Sequence, residues 1–357
     1  MRVCSARAAI GLISVCSLVT ARASAQARPP RFEPARPQRV AALLETLAHD
    51  SLEGRDTGSR GGNAAARIIA GMLREAGVQP AGDSGWFQRV PVARQALTLR
   101  DGTTRRVLRL QSDFAARDTF PAADRVDAVN VIGVLPGSDP AARDSAVVVG
   151  AHYDHVGIGR PVNGDSIYNG ADDDASGVVA VIEIARILAR QRPGPRRTVV
   201  LALFTGEERG GFGSRWYLEH PTVPLERTVA QLQIEMIGRP DSLAGGAGKG
   251  WLTGFERSTM GRMLREAGIA LVPDPRPAQN FFLRSDNIAF ALRGIPAHTI
   301  SSFNLHTDYH RPSDEARYTD AAHMAAIVDA SARATRLLAD GPAPQWEPGG
   351  RPEPRRP

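Results

Sequence analysis

Five short polar clusters in this 357-residue chain hold side chains that could bind a metal or move a proton. The first follows the apolar run 145–150 and contains His152 and Asp154. At i and i+2 on an extended chain the two side chains point to one side. A carboxylate then stands beside an imidazole, an arrangement that orients a metal-bound histidine. The second cluster is Asp172, Asp173 and Asp174, just before an apolar helical pattern. Acids at that place can cap a helix, yet three crowded carboxylates repel one another unless a cation neutralises them. The third, Glu207 and Glu208, follows the most apolar of the expected strands, 198–204. A glutamate pair at the rim of a cleft can divide its labour, one binding metal and the other moving protons. The fourth is Glu235, a single acid in an apolar run, which should not be buried unpaired. The fifth is the loop 306–314, with His306, Asp308, His310 and Asp314. Taken singly, each cluster also has a plain structural explanation as an ion pair, a helix cap or a solvated face.

The elements between the clusters decide whether they can meet. Continuous apolar runs at 145–150 and 198–204 predict central strands covered on both faces. The helical spacing over 175–189 between them is a strand–helix–strand signature. Further strands are expected over 86–92, 106–110, 127–134 and 229–236, and further helices over 40–48, 64–76 and 321–338. Leu264, Ile288 and Leu292 fall in helical patterns as well. Residues 93–125 read as a small excursion, too short for an inserted domain. The sum is an α/β, three-layer αβα sandwich around a mixed, mostly parallel sheet. In such sheets sites gather at the carboxyl ends of strands, where the five clusters fall.

In this order the clusters resemble the M28 family of zinc metallopeptidases, the aminopeptidase and glutamate-carboxypeptidase group. Residues 52–62 and 284–286 extend the resemblance, so it runs over most of 45–335. It implies a zinc-exopeptidase-like fold and two zinc ions per chain. On the family pattern His152, Asp173 and Glu235 hold one ion; Asp173, Glu208 and His310 hold the other, with Asp173 bridging. Glu207 is implied as general base, Asp154 as the group orienting His152, and a cis peptide often follows the bridging aspartate. Glu235 stands where the family often has Asp. His155, His306 and Asp172 are assigned structural or rim roles, and Tyr309, beside His310, is read as a structural phenol, with support of the oxyanion as the alternative.

The implied reaction is hydrolysis of peptide or small-molecule amide bonds by a metal-activated water, with release of N-terminal amino acids as the leading reading. A carboxypeptidase would need a cationic clamp, for which Arg239, Arg284 and Arg311 lie near enough in sequence. The same pattern also admits a glutaminyl-cyclase-like enzyme with a single zinc, or a metal-free receptor-like module. Phe281, Phe282, Ile288 and Phe290 suit either an apolar pocket or ordinary core.

Composition narrows the classes further. The first 39 residues carry seven arginines and one acid, enough to account for the whole formal charge of +6. A nucleic-acid binder would concentrate that charge on its fold, so no nucleic-acid partner is expected. Residues 1–25 read as a signal peptide: Arg2 and Arg7, an apolar stretch too short to span a bilayer, then Ala23-Ser24-Ala25. The expected location is periplasmic or secreted, with no membrane span in the mature chain. Cys16 only faintly suggests a lipoprotein site, because Val15 precedes it. Both cysteines, Cys4 and Cys16, lie in this segment, so the mature chain has no thiol chemistry. No Gly-x-Ser-x-Gly elbow is present either. Residues 26–37 read as a Pro/Arg-rich linker, 38–340 as the M28-like catalytic domain, and 341–357 as a disordered Pro-rich tail.

Overall fold

The computed structural model describes Met1 and residues 32–353. The expected signal peptide, apart from Met1, and the start of the linker lie outside the described residues.

The strands are β1 (Gln79–Pro80), β2 (Phe87–Thr98), β3 (Thr104–Leu110), β4 (Arg125–Leu135), β5 (Ala146–His152), β6 (Gly157–Val162) and β7 (Asp165–Tyr168). They continue with β8 (Thr198–Phe204), β9 (Thr228–Ile234), β10 (Gly250–Leu252), β11 (Leu271–Pro273) and β12 (Ala297–Ser301). The main sheet has the order β11-β10-β12-β9-β5-β8-β4-β2-β3, with β1 paired to β4; β6 and β7 form a separate hairpin. The neighbours β8-β5-β9-β12 are parallel, as are β10 and β11. The other pairings of this sheet are antiparallel. Parallel pairing therefore runs through the centre from β8 to β12, antiparallel pairings flank it on both sides, and one further parallel pair, β10 with β11, closes one edge.

Every residue of β5 is buried, and so is β8 from Val199 onward. The reason is two covered faces. Val147, Val149 and Ala151 join a core built with α1 (Pro37–Leu47), α2 (Arg60–Glu75), α4 (Ser176–Ala189) and α8 (Ala321–Asp340). The alternate residues Ala146 and Val148 meet α5 (Phe212–Glu219) and α7 (Asn287–Leu292) on the opposite face. Two short helices, α3 (Phe114–Asp118) and α6 (Thr259–Glu266), lie among the outer strands in chain order. Helix α4 is buried almost throughout, including Glu183. That charge is tolerated because the Nε groups of Arg186 and Arg39 donate to it at 2.9 and 2.6 Å.

Two expectations need correcting. The excursion over 93–125 lies partly within the sheet, because β2 runs to Thr98 and its second half, Val92–Thr98, pairs with β3. The expected disordered tail is ordered over 341–353. Trp346 bridges to Ser258, its indole N–H donates to the Gly294 carbonyl at 2.9 Å, and its ring meets Phe282 edge-on. Composition misleads here because one large aromatic with a satisfied N–H can anchor an otherwise polar segment. Residues 354–357 lie outside the described residues.

Candidate metal centre

The chain passes from β5 through α4 on one face to β8, then through α5 on the other face to β9, on the far side of β5. That reversal opens a crevice at the carboxyl ends of the parallel strands. His152 is the last residue of β5, Glu207 and Glu208 follow β8, and Glu235 follows β9. The loop after β12 brings His306 and His310, and Asp173 sits in the turn before α4.

These side chains form two groups that share Asp173. In the first, His152 Nε2 is 3.3 Å from Asp173 Oδ1, and Glu235 completes a set whose ligand atoms lie within 4.8 Å of one another. In the second, His310 Nε2 is 3.1 Å from both Asp173 Oδ2 and Glu208 Oε1. His155 joins this second set, with Nδ1 2.9 Å from Glu208 Oε1 and 3.7 Å from Asp173 Oδ2. Every metal residue expected from the sequence is thus in a group, and His155 stands in a cluster rather than at the rim. Glu235, one methylene longer than Asp, still reaches the first set.

The donor set fits divalent cations. His152 Nε2, both ring nitrogens of His155, Glu208 Oε1, Glu235 Oε2 and His310 Nε2 are buried with no hydrogen-bond partner. Buried polar atoms are ordinarily paired, and the orphans of the two groups, His155 Nε2 apart, are atoms that a bound cation would satisfy. Imidazole and carboxylate together suit zinc.

The neighbouring residues hold this set in place. Asp172 is turned away from both groups: Oδ1 accepts from the Gly238 N–H at 2.6 Å, and Oδ2 lies 3.0 Å from His306 Nε2. Asp174 accepts from the N–H groups of Gly177, Met236 and His152, tying α4, β9 and β5 together. The Asp173–Asp174 peptide is cis. Asp314 accepts from the Asp172 and Asp173 N–H groups. The contacts of Asp154 differ in detail from those expected. His152 Nδ1 is 3.0 Å from the Asp154 main-chain oxygen and 3.8 Å from its carboxylate. That carboxylate instead accepts from the Glu207 N–H at 3.1 Å and from the Thr57 hydroxyl at 3.0 Å. Asp154 therefore also fixes the backbone under Glu207.

Arg55 is buried and donates to the carbonyls of Leu47, Tyr153, Asn169 and Gly170. Its guanidinium fork joins the loop after β5 to the turn before Asp173. Nothing in the sequence marks it out except its place within residues 52–62.

Burial pushes the Glu207 carboxyl well above its ordinary range; His152 opposes this, while Glu235, Asp286 and Glu208 add to it. Burial and Asp173 would raise Glu208, but His155 and His310 outweigh them and hold it at about 2. Burial lifts Glu235 to about 7. Burial would lower His310, but its contacts with Asp173 and Glu208 prevail and raise it to about 10. The metal-free chain at pH 7 therefore carries a proton on His310 that a metal must displace. Zinc uptake at pH 7 should release protons, and apparent affinity should climb as pH rises from 7 towards 10. A zinc titration in weakly buffered solution reads this directly, and proton-neutral uptake would contradict it.

A small cleft adjoins the first group, with Asp173, Glu207 and Glu235 on its acidic side. Trp251, Phe281 and Phe303 form its aromatic wall; the Trp251 and Phe281 rings stack at 5.3 Å. Of the aromatics weighed from the sequence, Phe281 and Tyr309 are in this cleft, whereas Phe282 and Phe290 belong to the core. Trp251 and Phe303 were missed, being isolated aromatics far apart in the chain. Of the three arginines considered as a clamp, Arg284 lines the cleft. Arg239 is engaged with Asp308 at 2.7 Å and Asp314 at 3.5 Å, and Arg311 lines a separate depression.

The sequence pattern of Peptidase family M28 matches residues 130–335, more than half of the chain. A probable leucine aminopeptidase 2 of Aspergillus fumigatus is 27% identical over 262 residues, covering 72% of this chain and 46% of that protein. A vacuolar membrane protease of Aspergillus clavatus is 27% identical over 223 residues, covering 59% of this chain and 20% of that protein. The chain thus spans less than half the length of either relative. An aminopeptidase structure from Aneurinibacillus sp. strain AM-1 superposes with TM-score 0.59 at 16% identity, over 90% of this chain and 98% of that one. The glutaminyl cyclase of Porphyromonas gingivalis gives 0.54 at 17% identity, over 86% and 98%. At such identities the likeness is one of fold. The family pattern runs from β4 into α8 and takes in every residue of the two groups; the chain belongs to peptidase family M28.

Proposed function

We propose that this chain is an exported di-zinc exopeptidase that removes N-terminal amino acids from peptides. The observation that carries this reading is the pair of ligand groups sharing Asp173 beside Glu207. Two divalent cations, when bound, supply Lewis-acid polarisation of the substrate carbonyl and an activated water. His152, Asp173 and Glu235 would hold one, and Asp173, Glu208 and His310 the other. Glu207 lies outside both groups, so its carboxylate is free to take a proton from the nucleophile and deliver it to the leaving amine. The acidic side of the cleft suits a free α-ammonium, and its aromatic wall suits an apolar side chain. Export rests on residues 1–25; among the described residues no helix is long and apolar enough to cross a membrane.

Arg284 in the same cleft supports a second reading, recognition of a free C-terminal carboxylate. A panel of aminoacyl substrates and N-blocked peptides, assayed with and without a chelator, separates the two. The expected result is cleavage only where the N-terminus is free, lost on chelation and restored by zinc. Cleavage of blocked substrates alone would establish the carboxypeptidase, and activity indifferent to chelation would remove the metal mechanism.

A further inference from the structure

We infer that His155 is a direct ligand of the second ion, giving that ion four protein ligands and leaving the first with three. The inference rests on the two-metal reading above and adds a residue to it.

Four ligand atoms at about 2.0–2.2 Å from a tetrahedral zinc stand roughly 3.3–3.6 Å from one another. In the second group the observed separations are 2.9 Å (His155–Glu208), 3.1 Å (His310–Glu208), 3.1 Å (His310–Asp173) and 3.7 Å (His155–Asp173). They scatter about the edge length of that polyhedron. The plain alternative is that His155 donates a hydrogen bond to Glu208. Yet His155 Nδ1 and Glu208 Oε1, 2.9 Å apart, both lack a hydrogen-bond partner. The atoms are close without being aligned on each other, as expected where both aim at a third point. The ring is also held there. His155 is fully buried, its ring meets His310 edge-on at 5.4 Å, and it fills the space beside Gly170. A Cβ on Gly170, where φ is +54°, would come within 2.5 Å of the His155 ring. Glycine at 170 serves both the turn and the imidazole.

The consequence is an asymmetric pair. A four-ligand site resembles a closed zinc site, whereas three ligands leave a position for chemistry. The first group, beside the cleft, is then the one that meets the substrate, and the second serves mainly as a fixed charge.

The test begins with the wild-type chain loaded with cadmium-113 and labelled with nitrogen-15 histidine. Three imidazoles coupled to cadmium are expected, from His152, His155 and His310. Chelator competition on His155→Asn should show one of two zinc ions bound about 100-fold more weakly or worse, since loss even of an indirect partner costs 10–100-fold. His310→Ala is the benchmark, and equal melting of the metal-free variant and metal-free wild type shows that the fold is kept. Two ions with only two coupled imidazoles, or unchanged affinities in His155→Asn, overturn this inference alone. A wild-type chain that takes up no divalent ion overturns the two-metal reading and this inference with it.

Discussion

Glu207→Gln should keep its full complement of zinc and lose turnover by a factor of about 10²–10⁴, the usual worth of a positioned general base. The substitution is nearly isosteric and removes only the ability to hold a proton. Glu207 stands in neither ligand group, so metal content has no reason to change. Its main-chain N–H bond to Asp154 is independent of the side chain and survives. Burial, with the nearby acids Glu235, Asp286 and Glu208, raises its proton affinity above that of an ordinary glutamate. Cations held in the two groups would draw that affinity back towards neutral pH, where a carboxyl can both accept and return a proton. The paired measurements are zinc per chain by atomic emission and kcat on an aminoacyl substrate. A variant within tenfold of wild type would remove Glu207 from the proton path.

The second large effect is on binding. Asp173→Ala should cost both ions together, because Oδ1 faces His152 and Oδ2 faces His310 and His155. Removal of any other ligand touches one group only. His310→Ala should therefore lose a single ion on dialysis, where Asp173→Ala retains neither and has no measurable activity. The main-chain bond from Asp173 to Asp314 does not involve the altered side chain, so the turn persists. Comparable melting of the two metal-free proteins checks this. An Asp173→Ala chain that kept even one zinc at wild-type affinity would refute the shared carboxylate.

Much of this was legible in the linear chain because it depends on local pattern. A strand covered on both faces cannot alternate, so 145–150 and 198–204 read as central strands without any contact being known. Chemistry-bearing residues just past such runs fall at strand ends, and a parallel sheet sets those ends side by side. That is why His152, Glu207, Glu208 and Glu235 could be placed at one end of the sheet, whereas their roles, and His310 over His306, came from the family resemblance. The choice among Asp172, Asp173 and Asp174 came from the family resemblance alone. Three neighbours in one turn differ only in what they face: Gly238 and His306 for the first, both ligand groups for the second, Gly177 and Met236 for the third.

What the chain order could not tell was side-chain direction where long-range contacts set it. His155, three residues beyond His152, is inward because Arg55 grips Tyr153, Asn169 and Gly170, and because Gly170 leaves room for its ring. Trp346 anchors a Pro-rich segment only because a slot beside Gly294 and Phe282 awaits it. Residue type and spacing determined which groups could act and which end of the sheet would carry them. The packing of segments a hundred residues apart decided which of those groups turn inward, since desolvation and shape exist only once both surfaces are in place.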